Sequence, residues 1–127
     1  MKKTGFFLEI LITKFAMWVV GHSVYQRFAK KLGLKGQETV LDFGCGLGTV
    51  ASYVAPMVSQ GRLVCADISK NRLERCKKRL KHFRHVEHKN LQTDPSPFQA
   101  KSFDVIYCHF VLHELTEGQL QATLRQM

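Results

Sequence analysis

Residues 40–48 read Val-Leu-Asp-Phe-Gly-Cys-Gly-Leu-Gly, and a second acid, Asp67, follows 25 positions after Asp42 at the end of Leu-Val-Cys-Ala-Asp. Val40, Leu41 and Phe43 form a short apolar run that predicts a buried strand. Gly44, Gly46 and Gly48 then make a turn almost free of side chains, and Thr49 to Met57 reads as the helix that follows. A strand feeding a glycine turn and a helix brings main-chain N–H groups close to a ligand. A carboxylate at the end of the next strand is placed to accept hydrogen bonds from two ribose hydroxyls.

Outward from this stretch, strand and helix alternate. Thr39–Phe43 is the first expected strand, and the helix from Thr49 is shortened by Pro56 and over by Gly61. Leu63–Ala66 is the second strand. Ser69 is an N-cap for a helix to about His82, with Leu73, Cys76, Leu80 and Phe83 as its buried stripe and Glu74 paired with Lys78. Val86–Lys89 reads as a weak third strand, 93–102 as a loop, and Phe103–Phe110 as a fourth strand. Thr116-Glu117-Gly118-Gln119 resembles a capping box before a last helix.

Upstream, residues 6–20 are apolar and helix-like, and Gly21 reads as a break. A second helix is expected from His22 to Leu32, with Val24, Tyr25, Phe28 and Leu32 on one face and Gly33 and Gly36 closing it. Residues 1–36 thus read as a helical cap and 37–127 as the ligand-binding domain. The alternation predicts an α/β fold, a doubly wound parallel sheet with its ligand beyond the carboxyl ends of the strands.

The formal charge of +9 is concentrated. Ser69 to Asn90 carries nine Lys and Arg against two Glu. That density offers nucleic acid as a partner, but a regular apolar stripe with its charges turned outward equally describes a solvated helix face, which is the favoured reading. His82, His85 and His88 lie in this basic stretch and read as surface residues. Cys45, Cys65, Cys76 and Cys108 contain no C-x-x-C pair. They read as reduced, mostly buried thiols of a cytoplasmic protein, and their spacing suggests no zinc site. Met1-Lys2-Lys3 before an apolar run imitates a signal peptide. Glu9 and Lys14 interrupt that run, and it is short for a membrane span. Arg27, Lys30, Lys31 and Lys35 leave peripheral membrane contact as a lesser alternative.

The glycine spacing separates nucleotide ligands. Dinucleotide folds favour Gly-x-Gly-x-x-Gly, whereas this run is Gly-x-Gly-x-Gly with Asp42 two residues ahead, an acid that would repel a pyrophosphate and suit an ammonium. The run resembles the first motif of the class I S-adenosylmethionine-dependent methyltransferases, of the small-molecule type. The likeness extends from Val40 to Leu115, about three fifths of the chain. It implies a Rossmann-like sheet and S-adenosylmethionine as cofactor, bound at Asp42, Gly44, Cys45, Gly46 and Gly48. It also implies ribose contacts for Asp67 and an adenine contact for Ile68.

Family members often carry Gly-Asp-Ala six residues before a Pro-Phe. Counting back from Pro97-Phe98 puts Leu91 and Gln92 at the first two of these places. A glutamine carbonyl can accept from the adenine amino group as the family aspartate does. Asp94 takes that role if the loop is shifted by two residues. Ser102 to Leu115 resembles the fourth motif, which implies that His109 or Phe110 approaches the methionyl part of the cofactor. His113 is the candidate general base. The Asn-Pro-Pro-aromatic sequence of amino-group nucleic-acid methyltransferases is absent.

The implied reaction is methyl transfer to a small acceptor, apolar or aromatic by the hint of Phe15, Trp18 and Tyr25. The family sheet has seven strands, while this chain reaches Met127 inside the helix after its fourth. The expectation is therefore an incomplete sheet of about four strands, self-associating or completed by another chain. A non-catalytic cofactor-binding module and an RNA methyltransferase fragment are the alternatives.

Overall fold

The computed structural model describes residues 21–93, 98–99 and 101–108. Residues 21–31 are helical (α1). There follow β1 (Thr39–Phe43), α2 (Ala51–Val54) with a 3₁₀ turn at Ala55–Val58, β2 (Arg62–Asp67), α3 (Lys70–Arg79), β3 (Val86–Asn90) and β4 (Val105–Cys108). All strand pairs are parallel, in the order β3-β2-β1-β4. The chain moves outward from β1 to β3 and then returns to the other side of β1 to lay down β4. This reversal beside β1 is the switch point at which open α/β sheets bind ligands. Among the described residues no helix is long and apolar enough to cross a membrane.

The local chemistry accounts for the elements. Pro56 stands in the 3₁₀ turn, so α2 is only one turn long and the chain tightens there. Ser69 caps α3 with its Oγ accepting from Arg72 N at 3.3 Å. Leu73, Cys76 and Leu80 are buried along α3, with Phe83 packed on the same cluster, as the helical spacing predicts. The helix ends at Arg79, three residues short of the expected His82, and Glu74 pairs with Lys77 at 3.2 Å, not with Lys78. Residues 103–104 precede β4 and are not part of it. β3 holds only half-buried residues, consistent with the weakness of its pattern and its place at the sheet edge.

Two clusters divide the core. Val40, Leu63, Cys65 and Tyr107 face α2, α3 and α1, while Leu41, Phe43, Val64 and Ala66 face the other way. This is the period of two expected of strands buried on both faces. α1 contributes a fully buried Ala29, with Tyr25, Phe28 and Leu32 packed beside it. Two expectations fail here. Gly21 is itself helical, and Val24 is 48% exposed because the inward arc runs through Tyr25, Phe28, Ala29 and Leu32. The ring of Tyr25 packs against that of Tyr53, and Phe28 meets Tyr107 edge-on at 5.6 Å.

Candidate functional site

The glycine turn is held against the end of β2 by its own main chain. Gly44 N and Cys45 N both donate to Ala66 O, at 2.7 and 3.0 Å, and Gly48 N closes the turn on Cys45 O at 3.0 Å. Gly44, Gly46 and Gly48 have φ of 76°, 57° and 80°, a left-handed backbone that other residues adopt only at a cost. At Gly48 a side chain would also meet Cys76 Sγ at 2.8 Å, so the turn sits tightly on α3. At Gly46 the reverse holds. No atom lies within 4 Å of where a Cβ would stand, so the turn faces open space there.

Asp67 joins the turn to the next helix. Its Oδ2 accepts from Gly46 N at 2.9 Å and its Oδ1 from Ser69 N at 2.8 Å, while its own carbonyl accepts from Leu91 N at 3.0 Å. Each carboxylate oxygen has a second lone pair for a further donor. Asp67, itself only 2% exposed, is thereby fixed by the glycine loop beside it.

Asp42 is not arranged as its sequence position suggests. It is only 2% exposed and turned into the sheet, where Oδ2 accepts from Tyr107 Oη at 2.8 Å. Burial pushes its pKa up to about 7, against a smaller lowering by the Tyr107 hydrogen bond. Burial, and then the charge of Asp42, push the Tyr107 phenol upward as well. An acid so placed braces the first strand against the fourth.

A family model described as a methyltransferase domain matches residues 41–127. The chain belongs to that family. A search among curated proteins found no match. Among solved structures, an S-adenosylmethionine-dependent methyltransferase from Aquifex aeolicus is 25% identical with a TM-score of 0.70, over 80% of this chain and 56% of that one. The YcgJ protein from Bacillus subtilis is 23% identical with a TM-score of 0.70, over 83% of this chain and 44% of its own. Coclaurine N-methyltransferase, solved with N-methylheliamine and S-adenosylhomocysteine, is 19% identical with a TM-score of 0.63, over 83% and 32%. The chain thus spans about half the length of the Aquifex structure it matches. By family and by its Rossmann-like sheet, four-stranded among the described residues, it is a domain of the class I methyltransferase type.

In this methyltransferase domain the expected site residues other than Asp42 fall into three groups. Gly44, Cys45, Gly46, Gly48, Asp67 and Ile68 come together where β1 and β2 end. Leu91 and Gln92 follow β3, with Leu91 half-buried on the second core cluster and Gln92 exposed in a turn, its N–H on Asn90 Oδ1 at 2.9 Å. Asp94, His109, Phe110 and His113 lie outside the described residues.

Sequence reasoning missed Ser69 and Tyr107 as partners of the two acids. The signal for Ser69 was present, since an N-cap two residues after a strand-end acid places its N–H at that carboxylate. Tyr107 carried no local signal, being 65 positions from Asp42. Of the histidines, His82 is exposed as expected, while His85 and His88 need correction. His85 Nε2 meets Ala55 O at 2.7 Å, and His88 Nε2 is buried without a hydrogen-bond partner among the described residues. The thiols need it too. Their spacing suggested no cluster, yet the sulfurs of Cys45, Cys65 and Cys76 lie within 4.8 Å of one another. Hydrogen bonding with Cys65 and Cys76, then burial, push the Cys45 thiol upward.

A depression of about 510 Å³ lies on the outer face of α3, lined by Leu47, Asn71, Arg72, Glu74, Arg75 and Lys78. It contains none of the expected cofactor residues.

Proposed function

We propose that this domain binds S-adenosylmethionine at the ends of β1 and β2 and serves a methyltransferase whose acceptor is a small apolar or aromatic molecule. The observation that carries the reading is the coupling of the glycine turn to the ribose-type acid, Gly46 N to Asp67 Oδ2, beside an open face at Gly46. Asp67 would take the ribose hydroxyls, with Ile68 and the Leu91–Gln92 segment bordering the base. The turn presents no phosphate-binding lysine and no third glycine at the dinucleotide spacing.

The cofactor supplies an electrophilic sulfonium methyl. The chain's part is alignment, which can lower the barrier by about 7 to 11 kcal/mol when an acceptor is held in line. Asp67 fixes the ribose end and the turn fixes the neighbouring backbone. His113 would be required only for an acceptor that must lose a proton. Residues 1–36 would close the acceptor side. The solved coclaurine enzyme, with its N-methylheliamine ligand, lends the small-acceptor reading its support.

Isothermal titration with S-adenosylhomocysteine and, separately, NAD tests the cofactor. We expect binding of the first alone, weakened by about 1.5 to 3 kcal/mol in Asp67→Ala, the scale of a hydrogen bond to a charged group. Preference for NAD, or an unaffected variant, refutes the assignment.

A further inference from the structure

The parallel register lays His88, Cys65, Asp42 and Tyr107 side by side across β3, β2, β1 and β4. The row below it on the same face, Val86, Leu63, Val40 and Val105, is wholly aliphatic. A polar row thus runs through the core beneath the glycine turn. Two more side chains stand over it, Cys45 from the turn and Cys76 from α3. The sulfurs of Cys45, Cys65 and Cys76 are mutually within 4.8 Å, and all three residues are buried. His88 adjoins the Cys76 thiol, and its buried Nε2 has no other polar partner among the described residues.

We propose that Cys45, Cys65 and Cys76 bind a thiophilic d¹⁰ cation, zinc(II), with His88 closing the set. Three sulfurs and one imidazole make a structural zinc tetrahedron, a donor set that magnesium and calcium do not accept. Sulfurs on a tetrahedral zinc, at Zn–S of about 2.3 Å, stand about 3.8 Å apart. The three sulfurs therefore need to close by about 1 Å at most, and the His88 ring to turn toward them. Binding forms one Zn–S bond per thiol, releases those thiol protons to solvent and changes no oxidation state.

The three sulfur ligands come from three separate elements, the turn, β2 and α3, whose cysteines are free of disulfide cross-links. A cation there would pin the glycine turn to the sheet on one side and to the helix on the other. It would act as a staple beneath the cofactor site. The competing account is that three cysteines simply serve as small core residues. His88 weighs against it, because the Cys76 thiol, a weak hydrogen-bonding group, is all that adjoins its buried Nε2, and zinc would satisfy that nitrogen.

The test uses the whole 127-residue chain, reduced and stripped of metal. Cobalt(II) is added as a coloured stand-in for zinc, and thiolate-to-cobalt charge-transfer absorption is followed. We expect saturation at one equivalent, displacement by zinc(II), and a zinc-dependent rise in the unfolding midpoint. Cys65→Ala and Cys76→Ala should each weaken binding by at least about tenfold, and His88→Gln by less, while Cys108→Ala changes nothing. Absence of the absorption band in the wild-type chain overturns the proposal without recourse to any variant. So does a band that survives in the folded Cys65→Ala/Cys76→Ala double variant.

Discussion

Replacing Asp42 by Asn should raise the protein's stability relative to the wild type progressively as the pH climbs from 4 to 8. Asp42 is buried beside Tyr107, and its pKa is raised from 3.8 to about 7. A carboxyl whose folded pKa lies above its unfolded value favours the folded state when protonated. Its contribution is therefore best below pH 3.8 and is lost as the pH climbs to about 7, above which it stays lost. The interval corresponds to about 4 kcal/mol, since one pKa unit is worth about 1.4 kcal/mol. Asparagine keeps an oxygen for the Tyr107 hydroxyl and never ionises. Its amide N–H groups carry a burial cost of their own, about 1 to 3 kcal/mol, but that cost does not change with pH.

The informative quantity is thus the difference between variant and wild type, followed across pH. Urea denaturation at pH 4, 6 and 8, with chelator present to keep the thiols metal-free, measures it. The variant should gain about 2 to 4 kcal/mol on the wild type between pH 4 and pH 8, most of it between pH 5 and 7. Other carboxylates cancel in the comparison, including Glu87, lowered by Arg62, and Glu38, lowered by the N–H groups of Lys35 and Gly36. A difference that stays flat from pH 4 to pH 8 refutes the argument and means that Asp42 is ionised without penalty.

Tyr107→Phe should show the complementary behaviour. It removes the buried donor to Asp42 and should cost about 1 to 3 kcal/mol, more at pH 8 than at pH 5 by the same urea series. Gly46→Val should leave the circular dichroism native, because nothing crowds a side chain there. It should lower cofactor affinity at least about a hundredfold by titration, since the branch occupies the open face and its φ of 57° is strained. Gly61→Ala should destabilise by about 1 to 3 kcal/mol in thermal unfolding, because its Cβ would lie 2.2 Å from Glu38 O, a backbone atom that accepts from Arg62 N.

The first half of the candidate site was legible in the sequence. A strand, three glycines at alternate positions and an acid ending the next strand are local features. Each follows from backbone sterics within a few residues, and the positive φ at all three glycines agrees with that reading. The α/β alternation was legible for the same reason, as were the Ser69 cap and the apolar stripe of α3. Element ends were less so, because the last turn of α3 depends on what the chain packs against next.

The second half was decided by register. Whether Asp42 faces a ligand or a tyrosine depends on which residue of β4 lies beside it, 65 positions later. The assembly of Cys45, Cys65 and Cys76, read in the sequence as scattered thiols, depends on the same pairing together with the placement of α3 over the turn. Parallel strands are joined by crossovers, so the chain carries no hairpin from which their register can be counted. Only the packed sheet brings the row His88, Cys65, Asp42 and Tyr107 into line, because side-by-side contact between strands is a property of the fold and not of any local stretch of sequence.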